Sequence, residues 1–348
     1  MKRLATMGLA LVLAAGSLPA IAQDTKTLRI GNWLPPHHLI VADIIKPWAA
    51  AIEDETGGSL KFEIMTSALG PPPAQFDLLL DQAFDVGYGV SGHNAGRFPM
   101  TQVMDLPFMS ADPWTGSAAA WLTYEKYGAD YGEHTGVHVA GLFTHSTPNI
   151  NMAKGRVETL DDLKGKTIRV GGNVTGRMMS ELGASPVQLP PTEAQTAMSR
   201  GVADGITFPP ESIDFFGITP VITSITRIPD GLYTDTFWVA FNEEVWDGLS
   251  ETEQAAINKH SGIAIAMLAG FAWSNADIVA EAKMIEQGVE FIDLPADDIT
   301  KAKETLKPLE TEWLAQAKEK GFDGEEILSY ARAMAEHYLA ASAPAMAK

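Results

Sequence analysis

The stretch from residue 159 to residue 205 constrains the fold of this chain more than any other. Thr167–Val170 alternates β-branched residues, which predicts a strand, and the strand carries a single arginine, Arg169, to its loop-facing end. A short amphipathic helix that stops at Gly183 follows, and a second strand and a second helix complete the run. The stretch is therefore predicted to be a βαβα unit with one guanidinium at its entrance.

The amino-terminal third repeats this alternation. Strands are predicted at 27–33, 59–66 and 84–89, with helices at 39–55 and 76–82 between them. Such alternation is typical of a largely parallel sheet covered by helices, that is, an α/β fold. Ligands of these sheets lie beyond the carboxyl ends of the strands.

The chain is long enough, at 348 residues, for about two domains. Residues 147–151 resemble a passage from one α/β half to the next, and the β-prone run Thr234–Asn242 is predicted to return to the first half. We therefore expect domain I to comprise residues 27–146 and 236–270, and domain II to comprise residues 147–235 and 271–340.

A long helical segment follows the second crossing. Ser250 and Glu253 form a capping-box pattern, and the sequence stays compatible with a helix until Gly288. About 37 residues at roughly 1.5 Å each would extend about 55 Å, more than one domain of this size. The segment is predicted to span both domains; the alternative is two helices broken near Gly270.

The amino terminus has the pattern of a secretory signal. Lys2 and Arg3 precede the apolar run 4–15, and Ala20–Ala22 form an A-x-A cleavage site. We expect residues 1–22 to be removed; the alternative is an uncleaved anchor helix. Since the chain has no cysteine, neither disulfides nor a cysteine-linked lipid anchor is available, and the periplasm of a Gram-negative cell is the expected location.

The formal net charge is −19, and it becomes −21 without Lys2 and Arg3. Such a surface argues against nucleic acid as a partner. It does not exclude a small anionic ligand, because a buried cation next to the ligand can outweigh a distant field that salt screens.

No motif indicates catalysis, a cofactor or a metal. Residues 87–92 match G-x-G-x-x-G, but no helix is predicted to open at the third glycine. His37 and His38 are adjacent and so do not share a face, and Ser91 lacks the frame of a hydrolase nucleophile. We expect a binding protein rather than an enzyme, with an exported α/β enzyme as the alternative.

Several short motifs, taken in order, resemble the DctP-like substrate-binding proteins of TRAP transporters. They are GRFP at 96–99, LPF at 106–108, LDDLKGKTIRV at 160–170, LGASPV at 182–187 and GVADG at 201–205. The resemblance implies a two-domain periplasmic binding protein fold with hinge strands. It also implies a periplasmic receptor that closes on an organic acid and delivers it to TRAP membrane subunits, a small four-helix protein and a large sodium-driven permease. A binding protein for an ABC importer or a sensor kinase is the alternative.

The resemblance assigns Arg169 to the ligand carboxylate, and a guanidinium fork suits that role because it binds carboxylates bidentately. The chain departs from the family at three nearby positions, where charged or amide groups are replaced by Asn149, Asn173 and Phe208. We therefore expect a compact ligand with one carboxylate and an apolar, aromatic or methylated zwitterionic remainder, not a sugar acid.

Strand ends supply further candidates for the walls of the site. Trp33 and His37 follow the first strand, Tyr88 belongs to the third, and Trp238 lies in the returning strand. Aromatic side chains offer a large flat area with a polar edge, and a cage of them would also attract a methylated cation. Ligand contacts to both domains are expected to stabilise a closed state about a hinge.

Overall fold

The computed structural model describes residues 25–346, so the predicted signal peptide lies outside the described residues. In this range the chain forms one mixed sheet in each half. The strands are β1 Lys26–Ile30, β2 Leu60–Ile64, β3 Val86–Val90, β4 Val137–Thr144, β5 Asn149–Met152, β6 Thr167–Val170, β7 Ser185–Gln188, β8 Gly205–Phe208, β9 Ser224–Arg227, β10 Thr236–Asn242 and β11 Glu290–Asp293.

Helices cover the two sheets. A π-helical segment, Ile40–Ile45, precedes the first α helix. The α helices are α1 Lys46–Glu55, α2 Gln75–Leu80, α3 Pro113–Tyr131, α4 Asn173–Glu181, α5 Pro191–Ser199, α6 Pro210–Phe215, α7 Glu243–Asp247, α8 Glu251–His260, α9 Ile263–Glu286, α10 Ala296–Lys320 and α11 Gly324–Met346.

The first sheet has the strand order β2-β1-β3-β10-β4. Its first three strands pair in parallel, whereas β10 runs antiparallel to both β3 and β4. Strand β10, which covers most of the run 234–242, therefore belongs to the first sheet. All seven residues of β10 are buried, since helices pack on both faces of this sheet.

The second sheet has the strand order β11-β9-β5-β8-β6-β7. The predicted βαβα unit is present: β6 pairs in parallel with β7 and β8, and α4 and α5 connect the three strands. The antiparallel strand here is β5, which enters from the first sheet. The architecture is thus a two-domain α/β fold in which β5 and β10 follow the two crossings between domains.

The long helix is shorter than the sequence predicts, because it breaks at Gly262. Gly262 has a φ of +63°, in the region that favours glycine, and a Cβ there would lie 2.9 Å from Trp121. The predicted alternative, a break near Gly270, is also wrong. Helix α9 continues through Gly270, whose missing side chain lets it approach the backbone of Trp114 on α3; a Cβ would lie 2.7 Å from that Cα.

Helix α9 nevertheless spans the two domains. Its first half contributes Ile265 and Trp273 to the core of the first domain, and its second half contributes Met284 to the core of the second. By length and composition alone Glu251–Glu286 could cross a membrane. Its packing on α3, β4 and α6 identifies this segment as part of the fold.

Helix α10 crosses between the domains as well. Leu306 in its first half packs in a core of the second domain, and Trp313 in its second half packs in a core of the first. Helix α11 then packs along α3, with Ile327 and Ala331 buried in the first domain. The structure therefore places α11 with domain I, whereas the sequence assigned residues 271–340 to domain II. The apolar stripes of α11 gave no indication of which domain they would cover.

Candidate ligand-binding site

A narrow cavity of about 50 Å³ lies between the two domains, beyond the carboxyl ends of β1, β3 and β6. Its aromatic lining comes from both domains: Trp33, Phe208, Phe216, Phe237 and Trp273. Its polar lining consists of His38, His93, His145, Arg169, Ser212 and Asp235. A space this small excludes a bulky ligand unless the domains move apart.

Arg169 is the cation of the cavity, and its side chain is fully buried in β6. Its Nη2 donates a hydrogen bond to the carbonyl oxygen of Leu189, 2.5 Å away. Its Nε and Nη1 have no hydrogen-bond partner anywhere in residues 25–346. Burial lowers the pKa of Arg169 to about 10, so the guanidinium still carries its charge at neutral pH.

Phe208 supports the guanidinium from the neighbouring strand. It ends β8, and its ring lies 4.3 Å from Cζ of Arg169, a cation–π contact that holds the plane of the fork. Asn149 pairs directly with Phe208 across β5 and β8 and is buried, but its side chain does not line the cavity. We call Arg169, Gly171 and Phe208 the second-domain wall.

The opposite wall is aromatic. Trp33 donates its indole N–H to the carbonyl oxygen of Tyr88, 3.1 Å away, and its ring lies 5.8 Å from the Tyr88 ring. Phe237 of β10 and Trp273 of α9 continue this surface, with ring centroids 6.3 Å apart. We call Trp33, Phe237 and Trp273 the first-domain wall. Tyr88 lies beneath it, fully buried and hydrogen-bonded to Asn32, and positions Trp33.

Of the two histidines that follow the first strand, His38 lines the cavity and His37 does not. His37 is exposed and contacts the ring of Phe215 outside the cavity. His38 is buried, and burial lowers its pKa to about 3, so its ring is neutral. Its Nε2 lies 3.9 Å from Oε1 of Glu211 on α6, and this contact joins the two domains.

Glu211 is itself buried, and burial raises its pKa to about 8. It accepts a hydrogen bond from the hydroxyl of Ser212, and its backbone N–H donates to Asp277 of α9. Glu211 is therefore a neutral carboxyl at pH 7, at the seam where α6 meets His38.

One edge of the cavity is polar. His93 is partly buried, its inaccessible Nδ1 has no hydrogen-bond partner in the described part of the chain, and desolvation lowers its pKa to about 4. His145 Nε2 lies 3.2 Å from Oδ2 of Asp235, and its Nδ1 lies 2.6 Å from the carbonyl oxygen of Ser146. Sequence reasoning missed this edge, because 90 residues separate His145 from Asp235.

Like Asn149, His37 and Tyr88, two further predicted residues do not line the cavity. Trp238 is buried on the opposite face of β10 from Phe237, against Gly89 and Phe76, because successive side chains of a strand alternate. Asn173 is exposed as the first residue of α4. Of the eight predicted positions, the structure brings Arg169, Phe208 and Trp33 together at the cavity.

Two features of the sequence remain, its metal-ligand residue types and its glycine-rich run. No group of three or more histidine, aspartate or glutamate side chains within residues 25–346 could hold a metal ion. The glycine-rich run after β3 enters a 3₁₀ turn, Ser91–His93, instead of a helix that could bind a pyrophosphate. Within that run Gly89 gives Trp238 room, since a Cβ would lie 2.6 Å from its ring.

Known proteins match most of the described chain. The family model DctP, bacterial extracellular solute-binding protein family 7, matches residues 30–317. The outer membrane transporter protein TsaT of Comamonas testosteroni is 30% identical over 338 residues, which cover 96% of this chain and 98% of TsaT.

Two solved structures share the fold. A TRAP periplasmic solute-binding protein of Bordetella bronchiseptica, with bound (R)-mandelate and (S)-mandelate, is 34% identical, with a TM-score of 0.86 over 90% of this chain and 99% of that one. A TRAP solute-binding protein of Rhodoferax ferrireducens T118, in complex with copurified benzoate, is 26% identical, with a TM-score of 0.86 over 91% of this chain and 100% of that one.

Proposed function

Because the chain belongs to the DctP family of bacterial extracellular solute-binding proteins, we propose that it is the receptor of a TRAP transporter for a small aromatic carboxylate. The protein is a binding protein, not an enzyme. Three features support the aromatic acid as ligand: a buried guanidinium, a pair of walls rich in rings, and the narrowness of the cavity between them.

Arg169 is the observation that carries the proposal. A fully buried cation whose Nε and Nη1 lack protein partners is costly, because desolvation is not offset by pairing. A ligand carboxylate accepts from both nitrogens and neutralises the charge in a dry cavity. His93, neutral and with an unpartnered Nδ1, lines the same space and can add one hydrogen bond.

The aromatic walls determine what the carboxylate is attached to. Trp33, Phe237 and Trp273 offer flat apolar area, which favours a ring and disfavours a shell of hydroxyl groups. The face of Phe208 is already occupied by the guanidinium of Arg169, so it does not form a cage for a methylated cation. Mandelate and benzoate in the two related structures are both compact aromatic acids.

Binding is proposed to occur by hinge closure. Arg169 belongs to the second sheet, whereas Trp33 and Phe237 belong to the first-domain wall. Only the closed arrangement of the domains therefore lets one ligand contact all three residues. The ligand shifts the equilibrium by its differential affinity for that state. The chain passes between the sheets just before β5 and just before β10, which makes these crossings the proposed hinge.

Export and delivery complete the proposal. Residues 1–22 are proposed to direct the chain to the periplasm and to be cleaved after Ala22. There the closed receptor is proposed to deliver its acid to a small four-helix membrane protein and a large sodium-coupled permease. Mass spectrometry of the periplasmic protein tests the cleavage, and uptake of the acid into vesicles containing both subunits, with and without a sodium gradient, tests the delivery.

Calorimetry and thermal shift test the ligand class. We expect benzoate to raise the Tm by mass action, whereas benzyl alcohol, which has the ring without the charge, does not. Cyclohexanecarboxylate is expected to bind more weakly than benzoate, and glucuronate not to bind. Tight binding of glucuronate without binding of any aromatic acid would overturn the proposed ligand class.

A further inference from the structure

The cavity contains an anion as well as a cation. Asp235, immediately before β10, lines the cavity, and 16% of its side chain remains accessible. Burial acts to raise the pKa of Asp235, but the hydrogen bond and charge of His145, with His93 and Arg169, lower it below its ordinary value. The group is therefore a carboxylate, which only accepts hydrogen bonds. Its Oδ1 accepts none from residues 25–346.

This carboxylate does not form an ion pair with Arg169. No nitrogen of Arg169 lies within 4.0 Å of an oxygen of Asp235. Both groups face Gly171: a Cβ on that residue would lie 3.8 Å from Nη1 of Arg169 and 3.5 Å from Oδ2 of Asp235, so these two atoms are at most 7.3 Å apart. The gap is too wide for an ion pair and narrow enough for one small group of a ligand.

The absence of a side chain at Gly171 keeps this gap open. Its φ does not lie in the left-handed region, so the backbone does not require glycine there. An alanine methyl group at this position would fill the space between the guanidinium of Arg169 and the carboxylate of Asp235, at contact distance from both. Gly171 therefore supplies room beside the ligand carboxylate, between a donor on one side and an acceptor on the other.

A plain carboxylate does not satisfy this arrangement. Bound to Arg169, it would bring a second negative charge close to Asp235, and like charges in a buried site disfavour each other. A ligand that carries a hydrogen-bond donor next to its carboxylate avoids the cost, because the donor bonds Asp235 while the carboxylate bonds Arg169. With hydrogen bonds of about 2.7–2.9 Å, a donor one atom away from the carboxylate carbon spans the gap.

We propose that Asp235 is a specificity-determining residue that selects aromatic acids with a hydroxyl or ammonium group on the carbon next to the carboxylate. The inference rests on the proposed function and names its substrate class: 2-hydroxy or 2-amino acids with an aromatic side chain. Arg169 binds the carboxylate, Asp235 accepts from the donor, and the first-domain wall contacts the ring.

Three acids that differ only at this carbon test the inference: phenylacetate, mandelate and phenylglycine. Calorimetry on the wild type is expected to show that mandelate or phenylglycine binds at least about 10-fold more tightly than phenylacetate, the size of one charge-assisted hydrogen bond. The preferred acid of the two identifies the donor as hydroxyl or ammonium.

Asp235→Asn is expected to reduce that preference to about 2-fold or less, and to bind phenylacetate more tightly than the wild type because the repelling charge is gone. Gly171→Ala, which fills the gap and leaves both charged groups in place, is expected to reduce the preference as well. If Asp235→Asn does not fold, the preference measured for Gly171→Ala tests the inference instead. The matched control is Asp230→Asn, which removes an aspartate paired with Lys303 outside the cavity and is expected to keep the preference.

Two failures are distinguishable. If the wild type binds all three acids without preference, or if Asp235→Asn and Gly171→Ala retain the wild-type preference, the inference is wrong and the proposed function stands. If the wild type binds none of the three acids nor benzoate, the proposed function fails and the inference fails with it.

Discussion

The two walls of the cavity do different work. The second-domain wall concentrates charge: Arg169 is fully buried, and Phe208 supports its guanidinium from 4.3 Å away. The first-domain wall has no formal charge and consists of Trp33, Phe237 and Trp273. One wall therefore recognises the anion, and the other recognises the shape attached to it.

This division has a consequence for closure. A carboxylate without a ring satisfies Arg169 but gains little from the first-domain wall, and a ring without a charge leaves the guanidinium unpaired. Only a ligand with both parts binds the closed state much more tightly than the open one. The two walls together therefore select a small molecule that has both a carboxylate and a ring.

Removing the charge of the second-domain wall has the largest expected effect. Arg169→Ala is expected to weaken aromatic acid binding by about 100- to 1,000-fold, because truncating one partner of a buried charge pair costs roughly 3–4 kcal/mol. The Tm without ligand is expected to change little, since the buried cation lacks partners at Nε and Nη1. Calorimetry and thermal melting measure the two quantities.

Arg169→Lys is the matched variant that keeps the charge and loses the fork. It is expected to bind more tightly than Arg169→Ala and more weakly than the wild type, because a point charge cannot bond a carboxylate bidentately. An affinity of Arg169→Ala within 3-fold of the wild type would show that the carboxylate binds elsewhere.

The two walls also differ in how far the sequence predicts them. Arg169 could be located from one strand and its flanking motif, since alternation and a turn fix where a strand-end side chain points. Phe237 and Trp238 are both aromatic and adjacent, and in a strand buried on both faces nothing local tells which one faces the cavity. The pair of His145 and Asp235 depends on β4 and β10 lying side by side, a long-range pairing that no local pattern indicates.

The seam where Glu211 of α6 meets His38 makes the stability of the protein depend on pH. Because burial raises the pKa of Glu211 to about 8, the folded state binds a proton that the unfolded chain releases near pH 4.5. This contribution to the free energy of unfolding is fully present below pH 4.5 and is lost as pH rises to 8. Between pH 6.5 and 8 the loss is at most about 2 kcal/mol.

The window lies above the pKa of Asp277, which accepts a hydrogen bond from the Glu211 backbone and whose pKa burial raises to about 6. Below pH 6.5 the buried His38, whose pKa is lowered to about 3, works in the opposite direction, since the unfolded chain binds the proton there. The comparison of Glu211→Gln with the wild type by thermal melting is therefore made at pH 6.5 and at pH 8. The variant is expected to gain Tm relative to the wild type at the higher pH. A constant difference between them would mean that Glu211 does not titrate in this range.

A smaller effect is expected from the ring of the first-domain wall. Phe237→Leu keeps an apolar side chain but loses the flat face, and binding of benzoate is expected to weaken about 10-fold, or about 1.4 kcal/mol. Trp238→Phe is the matched control on the other face of β10. It is expected to lower the Tm, because it leaves a gap beside Gly89, with the Kd within 2-fold.

The opposite result for Phe237→Leu and Trp238→Phe would mean that the other face of β10 contacts the ligand. If Trp238→Phe weakens binding at a temperature where the protein is folded, and Phe237→Leu does not, the ring of the ligand lies on the other side of β10. The ratio of the two Kd values thus checks the orientation of a single strand in solution.

The smallest effect is expected at Asn173, which the sequence placed in the site and the structure exposes at the start of α4. Its side chain does not line the cavity, so Asn173→Ala is expected to leave the Kd for benzoate within 2-fold and to change the Tm by little. Asn173→Arg tests the same point more severely, because an added cation within reach of the ligand would tighten binding of any anion. If either variant changes the affinity 10-fold, the second-domain wall extends beyond β6 into α4, and its charge is less localised than the geometry of Arg169 and Phe208 indicates.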